Sequence, residues 1–179
     1  MTVLRFAAAV TVAGLVSISC HSSSSGGGKT VSLNGAGSTF VNPLMSKWSA
    51  EYQKVAPNVQ VNYQSIGSGG GIRQLMAHTV QFGATDGPMT DEQLKEAKGP
   101  VLHVPLVMGA VVPTYNLPAL AHPIQFTPEA LAGIYLGQIK TWNDPKLTAD
   151  NADLNLPPTP IVVVHRSDGS GTSFLFTSY

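Results

Sequence analysis

The stretch Thr30-Val31-Ser32-Leu33-Asn34-Gly35-Ala36-Gly37-Ser38-Thr39-Phe40-Val41-Asn42-Pro43-Leu44 decides how the rest of the chain is read. Val31 and Leu33 alternate with polar neighbours, the period of a short strand. A loop of small residues, Gly35 to Phe40, follows it. Leu44, Trp48, Tyr52 and Val55 then recur at helical spacing, with Pro43 tolerated in the first turn. Pro57 and Asn58 close that helix, and Val59, Val61 and Tyr63 alternate as a second strand.

The same order recurs downstream. Gly67-Ser68-Gly69-Gly70-Gly71 precedes a helix carrying Ile72, Leu75 and Met76, and Phe82-Gly83-Ala84-Thr85-Asp86 reads as a short buried strand that ends on a carboxylate. Thr90 or Asp91 caps a polar helix reaching about Lys98. Val101 to Val112 is a long apolar stretch read as strand, with an interruption at Pro105. Thr127-Pro128-Glu129 carries the cap and first-turn signals of another helix. Asn151 to Pro160 is loop, and Ile161 to Val164 reads as a strand leading into Arg166-Ser167-Asp168-Gly169-Ser170-Gly171-Thr172. The expected fold class is α/β with a mainly parallel sheet. The glycine loops sit at strand ends, where open α/β sheets bind their ligands.

Composition narrows the function. The chain has 179 residues, of which 43% are apolar and 11% charged, enough apolar material for a real core. Ten basic residues balance ten acidic ones, which argues against nucleic acid as a partner. Small anions stay open, because one Arg and a few backbone amides suffice to hold them. The single cysteine, Cys20, allows no disulfide within the chain, and no Cys or His cluster has metal-ligand spacing, so neither a metal nor a cofactor is expected. No G-x-x-x-x-G-K-[ST] occurs, and no G-x-S-x-G elbow surrounds Ser38, Ser68 or Ser170. His165 adjoins Arg166, but neighbouring strand residues point to opposite faces, so His165 reads as packing or surface and not as a base.

The first residues read as a targeting segment. Arg5 is followed by an uncharged apolar run, Phe6 to Val16, too short to span a bilayer. Ser17, Ile18 and Ser19 before Cys20 resemble a bacterial lipoprotein processing site, which implies a lipidated Cys20, although Ser17 stands where such sites carry an apolar residue. An ordinary signal peptide with an incidental cysteine is the alternative. Residues 21–29 are Ser/Gly-rich, the composition of a flexible tether.

Three segments are expected at helix N-termini: Ser38-Thr39-Phe40, Ser68-Gly69-Gly70 and Ser170-Gly171-Thr172. Free amides there attract an anion, and hydroxyls add donors. Arg166 offers a forked pair of charged donors suited to a tetrahedral oxyanion. Any one of these segments alone is also an ordinary turn or cap.

Together, Gly35 to Phe40, Ile66 to Gly71, Phe82 to Asp86, Ile134 to Trp142 and Arg166 to Phe174 closely resemble the periplasmic phosphate-binding proteins of bacterial phosphate ABC transporters. The resemblance runs from about Leu33 to Tyr179. It implies a two-lobed, Venus-flytrap periplasmic-binding-protein fold that buries inorganic phosphate between its lobes and works with membrane permease subunits. By motif, the phosphate ligands are Thr39, the Phe40 amide, Ser68, Asp86, Arg166, Ser170, Gly171 and Thr172, with Asp168 orienting Arg166. The first lobe is expected over residues 30–108 and the start of the second over 109–179. Family members continue well beyond this length, so the chain reads as truncated at its C-terminus. The expected role is extracytoplasmic and not enzymatic. A phosphatase-like enzyme, a non-catalytic sensor, or a receptor for sulfate or another oxyanion on the same fold are the alternatives.

Overall fold

The computed structural model describes residues 29–117 and 120–179. The signal segment, Cys20 and the tether up to Gly28 lie outside the described residues.

The first strand, β1, runs over Val31–Gly37. The alternation at Val31 and Leu33 predicts only its first half; the small residues after it are strand and not loop. The extension has a cause in pairing. β1 lies in the middle of a three-stranded parallel sheet of order β2-β1-β3, with β2 at Val59–Ser65 and β3 at Phe82–Ala84. Its second half pairs on both sides at once, Gly35 with Tyr63 and Phe82, and Gly37 with Ser65 and Ala84. A strand flanked on both edges has every backbone group bonded, which holds even glycines extended. Ala36, at its centre, is fully buried.

The crossovers are helical. α1, Asn42–Val55, joins β1 to β2, with Pro43 in its first turn. It begins after Val41 with no side-chain cap, so Ser38-Thr39-Phe40 does not form a helix N-terminus; it is the turn leading to one. α2, Ser68–Met76, joins β2 to β3 and packs on β1 and β3. α3, Asp91–Glu96, is shorter than the polar run to Lys98. Thr90 starts it with a capping box, its Oγ1 accepting from the Gln93 amide at 3.3 Å while Gln93 Oε1 accepts from the Thr90 amide at 2.9 Å.

Two expected strands are absent among the described residues. Val101–Val112 has no regular structure, and Leu102, Val104 and Val112 are exposed. Ile161–Val164 forms no ladder: beside it stand one bridge, Thr141 to Pro160, and one bond from the Ile161 amide to the Lys140 carbonyl at 2.8 Å. Apolar β-branched residues favour extended backbone, but a strand exists only when another strand pairs with it. No described strand pairs with these segments.

A second packing centre follows. Ile124, Ala130, Ile134, Ile139, Leu147, Leu154 and Leu156 form a buried cluster. Tyr115 packs edge-on to Phe126, ring centroids 5.9 Å apart, and its hydroxyl accepts from the Ile124 amide at 2.8 Å. α4, Pro128–Tyr135, is capped by Thr127 and α5, Pro145–Thr148, by Asp144. The fully buried Asn151 donates to the carbonyls of Gln125 and Leu147 and accepts from the Gln125 amide, so none of its amide atoms is orphaned. α6, Gly171–Thr177, ends the described chain. No helix among the described residues is long and apolar enough to cross a membrane.

Candidate anion-binding site

The site begins where β1 ends. Gly37 has φ +142°, and a Cβ there would lie 2.9 Å from the Ala84 carbonyl carbon, so only glycine makes this turn. The turn drives Ser38 inward. Ser38 is 1% exposed, and its amide donates to the Ala84 carbonyl at 2.8 Å. Its hydroxyl donates to Asp86 Oδ1 and accepts from the Phe40 amide at 3.1 Å. The Tyr63 hydroxyl donates to the Ser38 carbonyl at 2.8 Å. Burial, and secondarily the charge of Asp86, push that phenol up to about 12, so it stays a donor.

The second loop joins the first through the same carboxylate residue. Ser68, 4% exposed, opens α2, and its Oγ accepts from the Asp86 amide at 3.2 Å. Asp86, just past β3, is therefore held by its backbone from Ser68 and by one carboxylate oxygen from Ser38.

The third loop arrives from far along the chain. Arg166 Nε donates to Asp168 Oδ1 at 2.7 Å, Nη2 donates to Asp168 Oδ2, and Nη1 donates to Thr39 Oγ1 at 2.9 Å. The hydrogen bonds between the partners raise the Arg166 pKa and hold the Asp168 carboxyl below its ordinary range. The Gly69 amide donates to the Gly169 carbonyl at 2.8 Å, locking the second and third loops backbone to backbone. Ser170 is the N-cap of α6, its Oγ accepting from the Ser173 amide at 3.2 Å. A Cβ on Gly171 would meet Ser68 Oγ, and would sit 2.6 Å from Asp86 Oδ2. Thr172 Oγ1 stands 3.5 Å from the same Oδ2.

The structure thus gathers Thr39, Ser68, Asp86, Arg166, Asp168, Ser170, Gly171 and Thr172 at one junction. Phe40 joins by its backbone; its ring is half exposed and lies against Gly109, and its amide is held by Ser38. A cavity of about 230 Å³ adjoins the junction, lined by Ser68, Gly69, Gly169, Ser170, Gly171 and neighbours. A wider groove of about 770 Å³ beside Arg73 contains none of the candidate residues. His165 is exposed and bonds only to the Arg166 carbonyl. Among the described residues no group of three or more His, Cys, Asp or Glu side chains could hold a metal.

Two contributors escaped the sequence reading. Ser38 lies inside the segment read as an anion loop, yet its inward direction depends on the φ of Gly37, which no residue pattern states. Tyr63 reads only as a strand residue, and its hydroxyl contact becomes visible with the β1–β2 register.

Comparison with known proteins places the chain in a family. A family model described as a PBP superfamily domain matches residues 23–179. The chain belongs to the PBP superfamily. The α/β architecture with its parallel sheet is the expected fold class. Among curated relatives of this PBP-superfamily chain, the phosphate-binding protein PstS of Haemophilus influenzae is 49% identical over 149 residues, covering 83% of the chain and 44% of the relative. PstS of Xylella fastidiosa is 45% identical over 152 residues, covering 84% and 41%. The chain therefore spans less than half the length of these relatives. An ABC-type phosphate transport receptor from Vibrio cholerae has a similar fold, with a TM-score of 0.53 and 24% identity, covering 82% of this chain and 54% of that one.

Proposed function

We propose that this PBP-superfamily protein binds inorganic phosphate outside the cytoplasm and delivers it to the permease subunits of an ABC importer. One observation carries the reading: three loops, the last from more than a hundred residues beyond the first, meet around Asp86 and Arg166. Such a junction combines a charged fork, hydroxyls and backbone amides with a single carboxylate. Thr39, Ser68, Ser170 and Thr172 supply hydroxyl donors, the Gly171 amide adds a backbone donor, and Arg166, oriented by Asp168, supplies the charge; the Phe40 amide already donates to Ser38 Oγ. Asp86 accepts a hydrogen bond from the proton that phosphate still carries near neutral pH. The names of the PstS relatives support phosphate as the anion.

In this reading residues 30–108 and 109–179 belong to two lobes that close on the ligand, and Cys20 carries the lipid that tethers the protein to a membrane. In this reading the protein is a receptor and not an enzyme: Ser38 donates to the Asp86 carboxylate, but at 1% exposure it is not placed as an exposed nucleophile.

Titration calorimetry on the protein expressed from its complete reading frame tests the proposal. Phosphate binds with micromolar or tighter affinity, and sulfate binds far more weakly. No heat from phosphate, or equal affinity for the two anions, overturns it.

A further inference from the structure

We propose that Ser38 is a positioning residue for anion selectivity: its buried hydroxyl fixes the Asp86 carboxylate so that Oδ2 alone is presented to the ligand. The inference rests on the phosphate-binding reading above and adds a residue which that reading does not use. The roles at Ser38 Oγ follow from donor and acceptor chemistry. The Phe40 amide can only donate, so Oγ accepts from it, at 3.1 Å. An ionised carboxylate can only accept, so the one hydroxyl proton of Ser38 goes to Asp86 Oδ1. At 1% exposure Ser38 is shut off from bulk water.

The consequence lies on the other oxygen. A free carboxylate turns readily about its last torsion, which has a broad, two-fold profile. Here Oδ1 is held from behind by Ser38, and the Asp86 backbone is held by Ser68 at 3.2 Å. Oδ2 is left facing the third loop, 3.5 Å from Thr172 Oγ1 and against the backbone of Gly171. An anion that carries a proton donates a hydrogen bond to Oδ2. An anion without one meets a fixed acceptor, and the carboxylate cannot swing aside without leaving the Ser38 proton unpaired. Ser38 therefore converts a carboxylate that could yield into one that discriminates.

The test compares phosphate and sulfate affinities by calorimetry in wild type, Ser38→Ala, Asp86→Asn and the double variant, each from the complete reading frame. Ser38→Ala is expected to lower the phosphate-to-sulfate preference by about tenfold, the worth of one hydrogen bond to a charged group. In the Asp86→Asn background the same change is expected to have little further effect, because Ser38 acts through Asp86; a merely structural serine would lower both affinities in either background. Ser38→Cys, similar in shape and a weak donor, carries the test if thermal melting finds Ser38→Ala unfolded, with the same direction expected. An unchanged preference in the folded variant, or an effect undiminished in the Asp86→Asn background, overturns the proposal alone. Wild type that binds neither anion overturns the functional reading and this proposal with it.

Discussion

Arg166 Nη1 donates to Thr39 Oγ1 at 2.9 Å, joining residues 127 positions apart in the chain. The rest of the fork is divided: Nε and Nη2 donate to Asp168, which leaves two of the five guanidinium N–H groups for a ligand. Arg166→Ala is expected to weaken phosphate binding more than tenfold, since a hydrogen bond to a charged group contributes about 1.5–3 kcal/mol and Arg166 has two N–H groups left to offer. Arg166→Lys is expected to recover only part, because a point charge cannot serve Asp168, Thr39 and a ligand in one plane. Calorimetry reads both variants, and a loss below tenfold in Arg166→Ala places Arg166 at the edge of the site.

Gly171 is where the third loop touches the second. A Cβ there would lie 2.6 Å from Asp86 Oδ2 and 2.7 Å from Asp86 Cβ, besides striking Ser68 Oγ. Gly171→Ala must push the loops apart, and overpacking of this kind costs about 1–3 kcal/mol. Phosphate affinity is expected to fall by about 5- to 150-fold, if the whole cost falls on the bound state. Unaltered affinity would mean that the loops separate without harm to the site.

Much of this arrangement is legible in the residues, and the exceptions share one cause. The periods of Leu44, Trp48, Tyr52 and Val55 and of Val59, Val61 and Tyr63 report local backbone, and the caps at Thr90 and Thr127 are local hydrogen bonds, so each appears where the pattern puts it. The family motifs likewise bring Ser68, Asp86 and Arg166 to one place. What failed depends on distant partners. Gly35 to Gly37 is strand because two other strands bracket it. Val101–Val112 is apolar enough for a strand and lacks a partner among the described residues. The direction of Ser38 follows from one backbone angle at Gly37.

In the proposed reading Cys20 carries the lipid that attaches the protein to a membrane. Cys20→Ala is expected to move the protein from the membrane fraction to the soluble one after cell disruption. An unchanged distribution on fractionation would remove the lipid anchor from this account.

His122 and Asp153 form an exposed pair at 2.6 Å. The His122 pKa is raised above its ordinary 6.5, first by donation from Nδ1 to the Pro123 carbonyl and then by Asp153, while Asp153 is lowered from 3.8, first by its bond to His122. A raised histidine stabilises fully below 6.5 and loses that contribution as pH rises through its folded value. The lowered carboxylate stabilises above 3.8 and loses that contribution as pH falls through its own folded value. The stability difference between wild type and Asp153→Asn is therefore expected to be widest in mild acid between these limits and to shrink above neutrality. By NMR titration, His122 in Asp153→Asn is expected to move part of the way toward 6.5, because the Pro123 contact remains. A difference in melting temperature that does not change with pH would show that the pair does not couple to folding.

Asp86 carries the selectivity argument. A carboxylate in an anion site repels its ligand unless the ligand brings a proton. Phosphate near neutral pH carries at least one and can hydrogen-bond through it to Oδ2, the oxygen that Ser38 does not hold and beside which Thr172 stands. Sulfate carries none and would set acceptor against acceptor. Out of contact with water, an unpaired polar group costs about 1–3 kcal/mol and a charged one more. Asp86→Asn replaces an obligate acceptor with an amide that donates as well as accepts. The variant is expected to keep phosphate binding, because Arg166, Thr172 and the loop amides remain, and to gain sulfate binding by about tenfold or more, by the same unpaired-group magnitude. Parallel titrations with the two anions check this: a phosphate-to-sulfate ratio equal in wild type and variant would remove Asp86 from selectivity and leave the carboxylate as no more than a cap on the turn to Gly87 and Pro88.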